Sequence, residues 1–412
     1  MNLTKCRFCE TPLKYTFANL GMSPLSNSYL KQVDLQKMEP FYPLHAFVCE
    51  NCHLVQLPEF QAPEQIFSDY AYFSSYSESW LSHVKAYTEL MTERFGFDSK
   101  SQVVEIASND GYLLQYFKEK NIPVLGIEPA KNVAIEARKS GIPTIVEFFG
   151  AEMATRLSSE GKGADLLIGN NVLAHVPQLN DFVRGMKILL KPKGIITVEF
   201  PHLMRLMEEF QFDTIYHEHF SYYSFITVRN IFAAHDLDIF DVEELPTHGG
   251  SLRIYACHSE EEDFKPFSLR VMELVDRERA FGLETLESYL SFNVKIEKTK
   301  RRILQFLIKT KDEGKTIVGY GAPAKGNTLL NYCGIGRDFI EYTVDRNPHK
   351  QRHFLPGTHV PIYHPDKIKE TRPDYVVILP WNLKDEIIQQ MAYIREWNGR
   401  FVTLIPGVTI HP

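Results

Sequence analysis

Residues 102 to 112 read Gln102-Val103-Val104-Glu105-Ile106-Ala107-Ser108-Asn109-Asp110-Gly111-Tyr112, and this stretch decides the fold. The β-branched run Val103 to Ile106 breaks into a small, polar turn, and an amphipathic segment follows from Tyr112 to Lys120. That is strand, turn and helix, the opening unit of a doubly wound α/β sheet. Val124 to Ile127 is the next strand, and it ends in Glu128. A carboxylate at that place accepts hydrogen bonds from both hydroxyls of a ribose.

The turn is poor in glycine. A pyrophosphate needs close backbone approach at several glycines, which disfavours a dinucleotide here and favours a nucleoside without phosphates, such as S-adenosylmethionine. Outward from this unit, Ala164 to Gly169 is a strand ending in Asn170-Asn171, Asp181 to Leu190 a helix, and Gly194 to Phe200 a further strand. Leu237 to Leu245 and Ser251 to Cys257 flank Pro246-Thr247-His248-Gly249-Gly250 as the arms of an antiparallel hairpin. A parallel sheet closed by a hairpin is the usual layout of an S-adenosylmethionine methyltransferase. After a charged helical stretch, about Pro266 to Lys311, the rhythm returns. Lys315-Thr-Ile-Val-Gly-Tyr-Gly-Ala-Pro-Ala-Lys-Gly-Asn327 again reads strand, glycine turn, helix. Gly319, Gly321 and Gly326 offer backbone access, and Lys325 near a helix N-terminus suits a pyrophosphate. Strands over Glu341 to Val344, Tyr375 to Leu379 and Phe401 to Ile405 complete a smaller sheet.

The chemistry is expected in Phe212-Asp-Thr-Ile-Tyr216-His217-Glu218-His219-Phe-Ser-Tyr222-Tyr223-Ser224, a titratable cluster after a strand's carboxyl end. Histidine titrates near neutrality and serves as a general base. A metal site on His217 and His219, and a packed aromatic segment, are the competing readings. Upstream, Phe67 to Tyr76 is a second aromatic, hydroxyl-rich segment that reads as packing or as a lid.

Four of the six cysteines form two Cys-x-x-Cys pairs, Cys6/Cys9 and Cys49/Cys52. Two such knuckles make a tetrahedral set of four sulfurs suited to structural zinc, and so short a segment needs a staple. Cys257 and Cys333 stand alone and read as buried small hydrophobes. At 412 residues, 44% hydrophobic and 24% charged, the chain is globular with room for two or three domains. Its net charge of −7 argues against a duplex nucleic-acid binder, and no apolar run reaches membrane-span length. No secretory leader opens the sequence, so a reducing cytoplasm is expected.

Taken together and in order, the doubled Cys-x-x-Cys, Glu105-Ile-Ala-Ser-Asn-Asp-Gly111, Glu199-Phe-Pro-His202, Tyr216-His-Glu-His219, Gly249-Gly-Ser-Leu-Arg253 and Gly319 to Asn327 resemble the nucleotide-sugar C-methyltransferases. Those enzymes make branched deoxysugars. The resemblance covers essentially the whole chain. It implies a zinc-binding domain at 1–66, a class I Rossmann-like methyltransferase domain at 67–265, and a helical connector with a Rossmann-like domain at 266–412. It implies zinc on Cys6, Cys9, Cys49 and Cys52, and S-adenosylmethionine against Glu105, Ala107, Asn109, Gly111, Glu128 and Asn170. Tyr70, His175, Tyr216, Glu218 and His219 would surround the sugar, with His219 or Tyr70 as base. Tyr72, Asn171, Lys325, Asn327 and Arg346 would contact the rest of the substrate. That substrate would be a dTDP- or GDP-linked 4-keto-6-deoxy sugar methylated at C-3, or at C-5, by a monomer working without nucleic acid or membrane. A nicotinamide-dependent sugar oxidoreductase using the Gly319 turn, and a zinc-containing RNA methyltransferase, are the alternatives.

Overall fold

The computed structural model describes residues 4–61, 74–76, 78–260 and 267–411. Between the two cysteine knuckles run β1 (Tyr15–Ser23) and β2 (Tyr42–Val48), antiparallel with Tyr15 opposite Val48, and β3 (Val55–Gln56) follows the second knuckle. The fourth strand of this sheet comes from far downstream. Ser221–Tyr222 (β9) pairs antiparallel with β3, just after the Tyr-His-Glu-His run.

The central sheet holds β4 (Val103–Ile106), β5 (Val124–Ile127), β6 (Thr144–Ile145), β7 (Ala164–Asn170), β8 (Leu190–Pro201), β10 (Leu237–Leu245) and β11 (Ser251–His258). Their order is β10-β11-β8-β7-β4-β5-β6. The strands from β6 to β8 are parallel, and β11 lies antiparallel beside β8 with Leu252 opposite Phe200. This is the class I methyltransferase topology. All four residues of β4 are buried, because helices cover both faces of a parallel sheet. The first of these helices opens at Leu114 rather than Tyr112. Left-handed backbone at Ala107 (φ 56°), Asn109 (φ 49°) and Gly111 (φ 79°) holds the preceding residues in a tight turn.

The expected single helical stretch after the hairpin is two helices, Leu269–Phe281 and Leu286–Asp312. Gly282 ends the first in the left-handed conformation (φ 94°), the usual glycine stop. The carboxyl-terminal sheet contains β12 (Ile317–Tyr320), β13 (Thr343–Val344), β14 (Ile362–Tyr363), β15 (Tyr375–Ile378), β16 (Arg400–Thr403) and β17 (Thr409–His411). Its order is β14-β13-β12-β15-β16-β17, parallel except for the last strand.

One apolar core unites the amino-terminal sheet with the long helix and the carboxyl-terminal sheet. Phe17 of β1 stacks on Phe292 at 4.7 Å and meets Tyr289 edge-on. A second core lines the methyltransferase sheet and includes Cys6 and Cys49. Cys257 and Cys333 are buried, as expected. Among the described residues, no helix is long and apolar enough to cross a membrane.

A candidate active site between two sheet edges

In an open α/β sheet the ligand crevice lies where strand order reverses, here between β4 and β7. Asn109 donates its backbone N–H to Glu128 Oε2 at 2.8 Å, and Ala130 N–H meets Glu128 Oε1 at 2.8 Å. Burial raises Glu128 to about 6, against the pull of those two N–H groups. Glu105 lies fully inside the sheet and burial raises it well above the usual carboxylate range, with the Tyr112 hydroxyl opposing. Gly111 has no room for a side chain, since a Cβ would stand 2.8 Å from Ile142 Cγ1. Asn170, at the end of β7, is 7% exposed. Among the described residues its amide finds no hydrogen-bond partner. Both amide atoms of a buried asparagine normally find partners, so this side chain points to a ligand.

The Tyr216–His219 loop crosses this edge. His219 Nδ1 lies 3.1 Å from the Thr214 carbonyl oxygen, and His175 Nδ1 lies 2.7 Å from that of Glu218. A carbonyl only accepts, so both rings carry the proton on Nδ1 and keep the Nε2 lone pair. The two rings meet edge-to-face at 4.8 Å, and Tyr216 lies against His219 at 4.1 Å. Burial pushes His219 well below the usual imidazole range and His175 down to about 4, so both are neutral at pH 7.

His217 does not join them. Its ring packs against Tyr42 and Phe60, with Nε2 3.2 Å from the Pro43 carbonyl oxygen, on the side of the amino-terminal sheet. Glu218 is held by Asn27, which donates to Oε1 at 2.6 Å. Burial raises Glu218 to about 7, opposed by Asn27 and Lys350. A carboxyl raised on folding contributes stability below its unfolded pKa and loses it as pH rises through about 7. Glu218→Gln is therefore expected to be more stable than the natural protein at pH 8, by about 2–3 kcal/mol, and equal to it at pH 5. Parallel thermal melts at the two pH values check this, and equal gains at both would refute it.

The carboxyl-terminal domain faces the same space. Trp381, just past β15, donates its indole N–H to Asp213 Oδ2 at 2.7 Å, and burial raises Asp213 to about 6. The Lys325 ammonium sits 4.4 Å over the Trp381 ring and donates to Asn382 Oδ1 at 2.9 Å. Burial lowers Lys325, and its charge in turn acts on His219.

The glycine turn corrects the expectation of backbone access. A Cβ on Gly321 would lie 2.5 Å from Pro380, one on Gly319 2.7 Å from Thr343, and one on Gly326 3.0 Å from Leu379. The glycines admit neighbouring protein, and the Ala322 N–H is taken by Asp345 at 2.8 Å. A nicotinamide dinucleotide therefore lacks a pyrophosphate cradle at this turn. Asn327 faces the amino-terminal segment, donating to the Ser26 carbonyl at 2.6 Å, and Arg346 is exposed beside Glu386. Tyr70 and Tyr72 lie outside the described residues.

Further residues complete the wall, of which His83 and Trp80 carried no signal in the sequence. Glu199 is buried between Arg253, at 2.8 Å through Nε, and His83, at 3.1 Å. Desolvation works to raise Glu199, but His83 and Arg253 outweigh it and hold the carboxyl low. Arg253 thus joins two separate motifs, whose spacing in sequence gave no sign of the pair. Asn171 (φ 52°) reaches the hairpin-tip residue His248 at 3.2 Å, and Trp80 meets His248 at 5.5 Å.

The two knuckles have the same build. Glu10 N–H bonds the Cys6 carbonyl and His53 N–H that of Cys49, both at 3.0 Å, and Glu10 and His53 share left-handed backbone. All four sulfurs lie within 4.8 Å of one another. A zinc–sulfur bond of about 2.3 Å implies about 3.8 Å between the sulfurs of a tetrahedron, so the cluster fits that ion. Among the described residues no other group of three or more ligating side chains comes together.

Three family models match the chain in series: a putative zinc binding domain over residues 6–67, a methyltransferase domain over 80–242, and a C-methyltransferase C-terminal domain over 246–406. C-methyltransferase NovU of Streptomyces niveus is 34% identical over 405 residues, covering 98% of this chain and 96% of its own. The chain belongs to the S-adenosylmethionine-dependent C-methyltransferase family.

The nucleotide-sugar enzymes suggested by the motifs are of this kind. Solved structures match less than half of the C-methyltransferase, at low similarity. Magnesium protoporphyrin IX methyltransferase of Synechocystis covers 43% of this chain and 79% of its own, at 14% identity and a TM-score of 0.34. The PH0226 protein of Pyrococcus horikoshii covers 48% and 99%, at 17% identity and a TM-score of 0.38. The residues beside the strand ends are compatible with the cofactor of that family: Asn170, whose amide has no partner among the described residues, and the buried Glu128. Cys6, Cys9, Cys49 and Cys52 form a cluster able to hold structural zinc.

Proposed function

We propose that this enzyme methylates C-3 of a nucleoside-diphosphate 4-keto-6-deoxyhexose, with His219 as the general base. The observation that carries the reading is the Nδ1–H tautomer of His219, fixed by the Thr214 carbonyl, which leaves a neutral Nε2 lone pair beside Tyr216 and His175. An unactivated sugar carbon is no nucleophile. A 4-keto group acidifies the neighbouring C–H, and removal of that proton leaves an enolate whose carbon attacks an electrophile. Bound S-adenosylmethionine supplies an electrophilic methyl group.

Glu105, Ala107, Asn109, Gly111, Glu128 and Asn170 are the residues to hold it. His219 takes the proton onto Nε2. Burial makes the resulting imidazolium costly, and the enolate oxygen formed beside it offsets that cost. Tyr216 and the nearby Lys325 charge stabilise the oxyanion, which is worth most in a water-poor cleft. His175 and Glu218 set the loop: the Glu218 carbonyl orients His175 while its carboxyl is tied to Asn27. Tyr70 and Tyr72 belong to the same site by family resemblance, and Tyr70 is the second candidate for the base. Lys325 faces the reacting end, while Asn171, Asn327 and Arg346 are assigned to the rest of the substrate.

Mass spectrometry after incubation with S-adenosylmethionine and a panel of dTDP- and GDP-linked 4-keto-6-deoxy sugars tests the reading. A gain of about 14 Da on the sugar, placed on C-3 by NMR, is expected. Methylation of oxygen, or of no sugar in the panel, would overturn it.

A further inference from the structure

His248 belongs to no role assigned above, yet its position is constrained from three sides. It lies at the tip of the β10–β11 hairpin with φ 56°, followed by Gly249 at 95° and Gly250 at 111°. A left-handed residue other than glycine carries a conformational cost.

The tip cannot retract. A Cβ on Gly249 would stand 2.4 Å from the Trp381 ring, and one on Gly250 2.9 Å from Arg205. The hairpin is pressed between the carboxyl-terminal domain and the methyltransferase domain. From the other side, Asn171 brings its amide nitrogen to 3.2 Å from His248 Nε2. An amide nitrogen donates, so Nε2 accepts and the ring proton lies on Nδ1. That Nδ1–H has no partner among the described residues.

His248 is exposed, yet burial, assisted by Lys325, pulls its pKa to about 4. Its ring is held between the Asn171 amide at 3.2 Å and the Trp80 ring at 5.5 Å, with one edge left open. Gly249, next to His248, is pressed against the Trp381 ring, and that ring carries the Lys325 ammonium at 4.4 Å, so His248 and Lys325 flank one edge of the site. A cation and a neutral N–H donor facing one cleft suit a ligand rich in oxygen acceptors.

We propose that His248 is a substrate-contacting residue, oriented by Asn171, whose Nδ1–H donates a hydrogen bond to an oxygen of the bound sugar nucleotide. This rests on the function proposed above. It adds a recognition residue that acts beside the base and takes no proton itself.

The test is His248→Gly, because glycine adopts left-handed backbone without strain and leaves no side-chain donor. The KM for the sugar nucleotide is expected to rise about tenfold, the loss of one hydrogen bond. Affinity for S-adenosylmethionine, measured by calorimetry, is expected to stay within twofold. Base-catalysed exchange of the sugar C–H in D2O at saturating substrate should persist, which separates His248 from the base. A folded variant with KM and kcat both within twofold of the natural enzyme would overturn the proposal. Abolished exchange would overturn it too, by making His248 part of the proton transfer. If circular dichroism shows H248G misfolded, His248→Ala carries the same expectations. Failure of the natural enzyme to methylate any 4-keto sugar nucleotide sinks the underlying reading and this one with it. Turnover by the natural enzyme together with an unaffected variant sinks this one alone.

Discussion

Replacing His219 by asparagine is expected to lower turnover about a thousandfold while leaving S-adenosylmethionine affinity unchanged. General-base catalysis contributes roughly 10²–10⁴ in rate, and the proton must leave carbon before any carbon nucleophile exists. Asparagine is the informative replacement. Its amide can still donate to the Thr214 carbonyl, which now holds Nδ1 at 3.1 Å, so the loop keeps its anchor while the basic Nε2 is lost. The cofactor groups lie on the β4 and β5 turns and share no described hydrogen bond with His219. Binding calorimetry and single-turnover methylation check the two halves of the expectation separately. Exchange of the sugar C–H with D2O in the absence of methyl transfer reads the proton step itself. Turnover within tenfold of the natural enzyme would remove His219 as the base and leave that role to Tyr70.

Stripping the metal from the cysteine cluster, or substituting Cys49→Ser, is expected to abolish activity by dismantling the catalytic loop from outside. Structural zinc contributes about 10–16 kcal/mol in small modules, comparable to the whole stability of a domain. The consequence reaches the active site through three contacts. Arg7, inside the first knuckle, donates to the Phe220 carbonyl at 2.8 Å, next to His219. Leu57 N–H meets that same carbonyl at 3.0 Å, and β3 pairs with β9 directly after it. Losing the knuckles removes the strand pairing that fixes where His219 stands. S-adenosylmethionine affinity should fall less than activity, because β4, β5 and β7 pair in another sheet, although Cys6 and Cys49 share its core. Metal analysis, proteolysis within residues 6–61 and cofactor calorimetry on one sample check this. Full activity in a metal-free protein would show that the knuckles hold without zinc and that the coupling is wrong.

Local pattern made several features legible. The β-branched run at Val103–Ile106 became a strand at those residues, and Val124–Ile127 did the same, since buried parallel strands show as short apolar runs. The hairpin formed on either side of Pro246–Gly250. Other features were misread for a definite reason. Glycines at 319, 321 and 326 look alike whether a ligand or a protein side chain fills the space beside them, and here Thr343, Pro380 and Leu379 do. His217 and His219 are two residues apart in an irregular loop, where no helical or strand period says which way each ring turns.

By itself the sequence determined the order of elements and the metal-binding knuckles, because both follow from nearest-neighbour spacing. Tertiary structure alone decided which of those groups meet. The pairing of β3 with β9, Asn27 on Glu218, Trp381 on Asp213 and Asn171 on His248 each join segments far apart in the chain. Such contacts are set by packing and by the need to satisfy buried polar groups, which leave no local period to read.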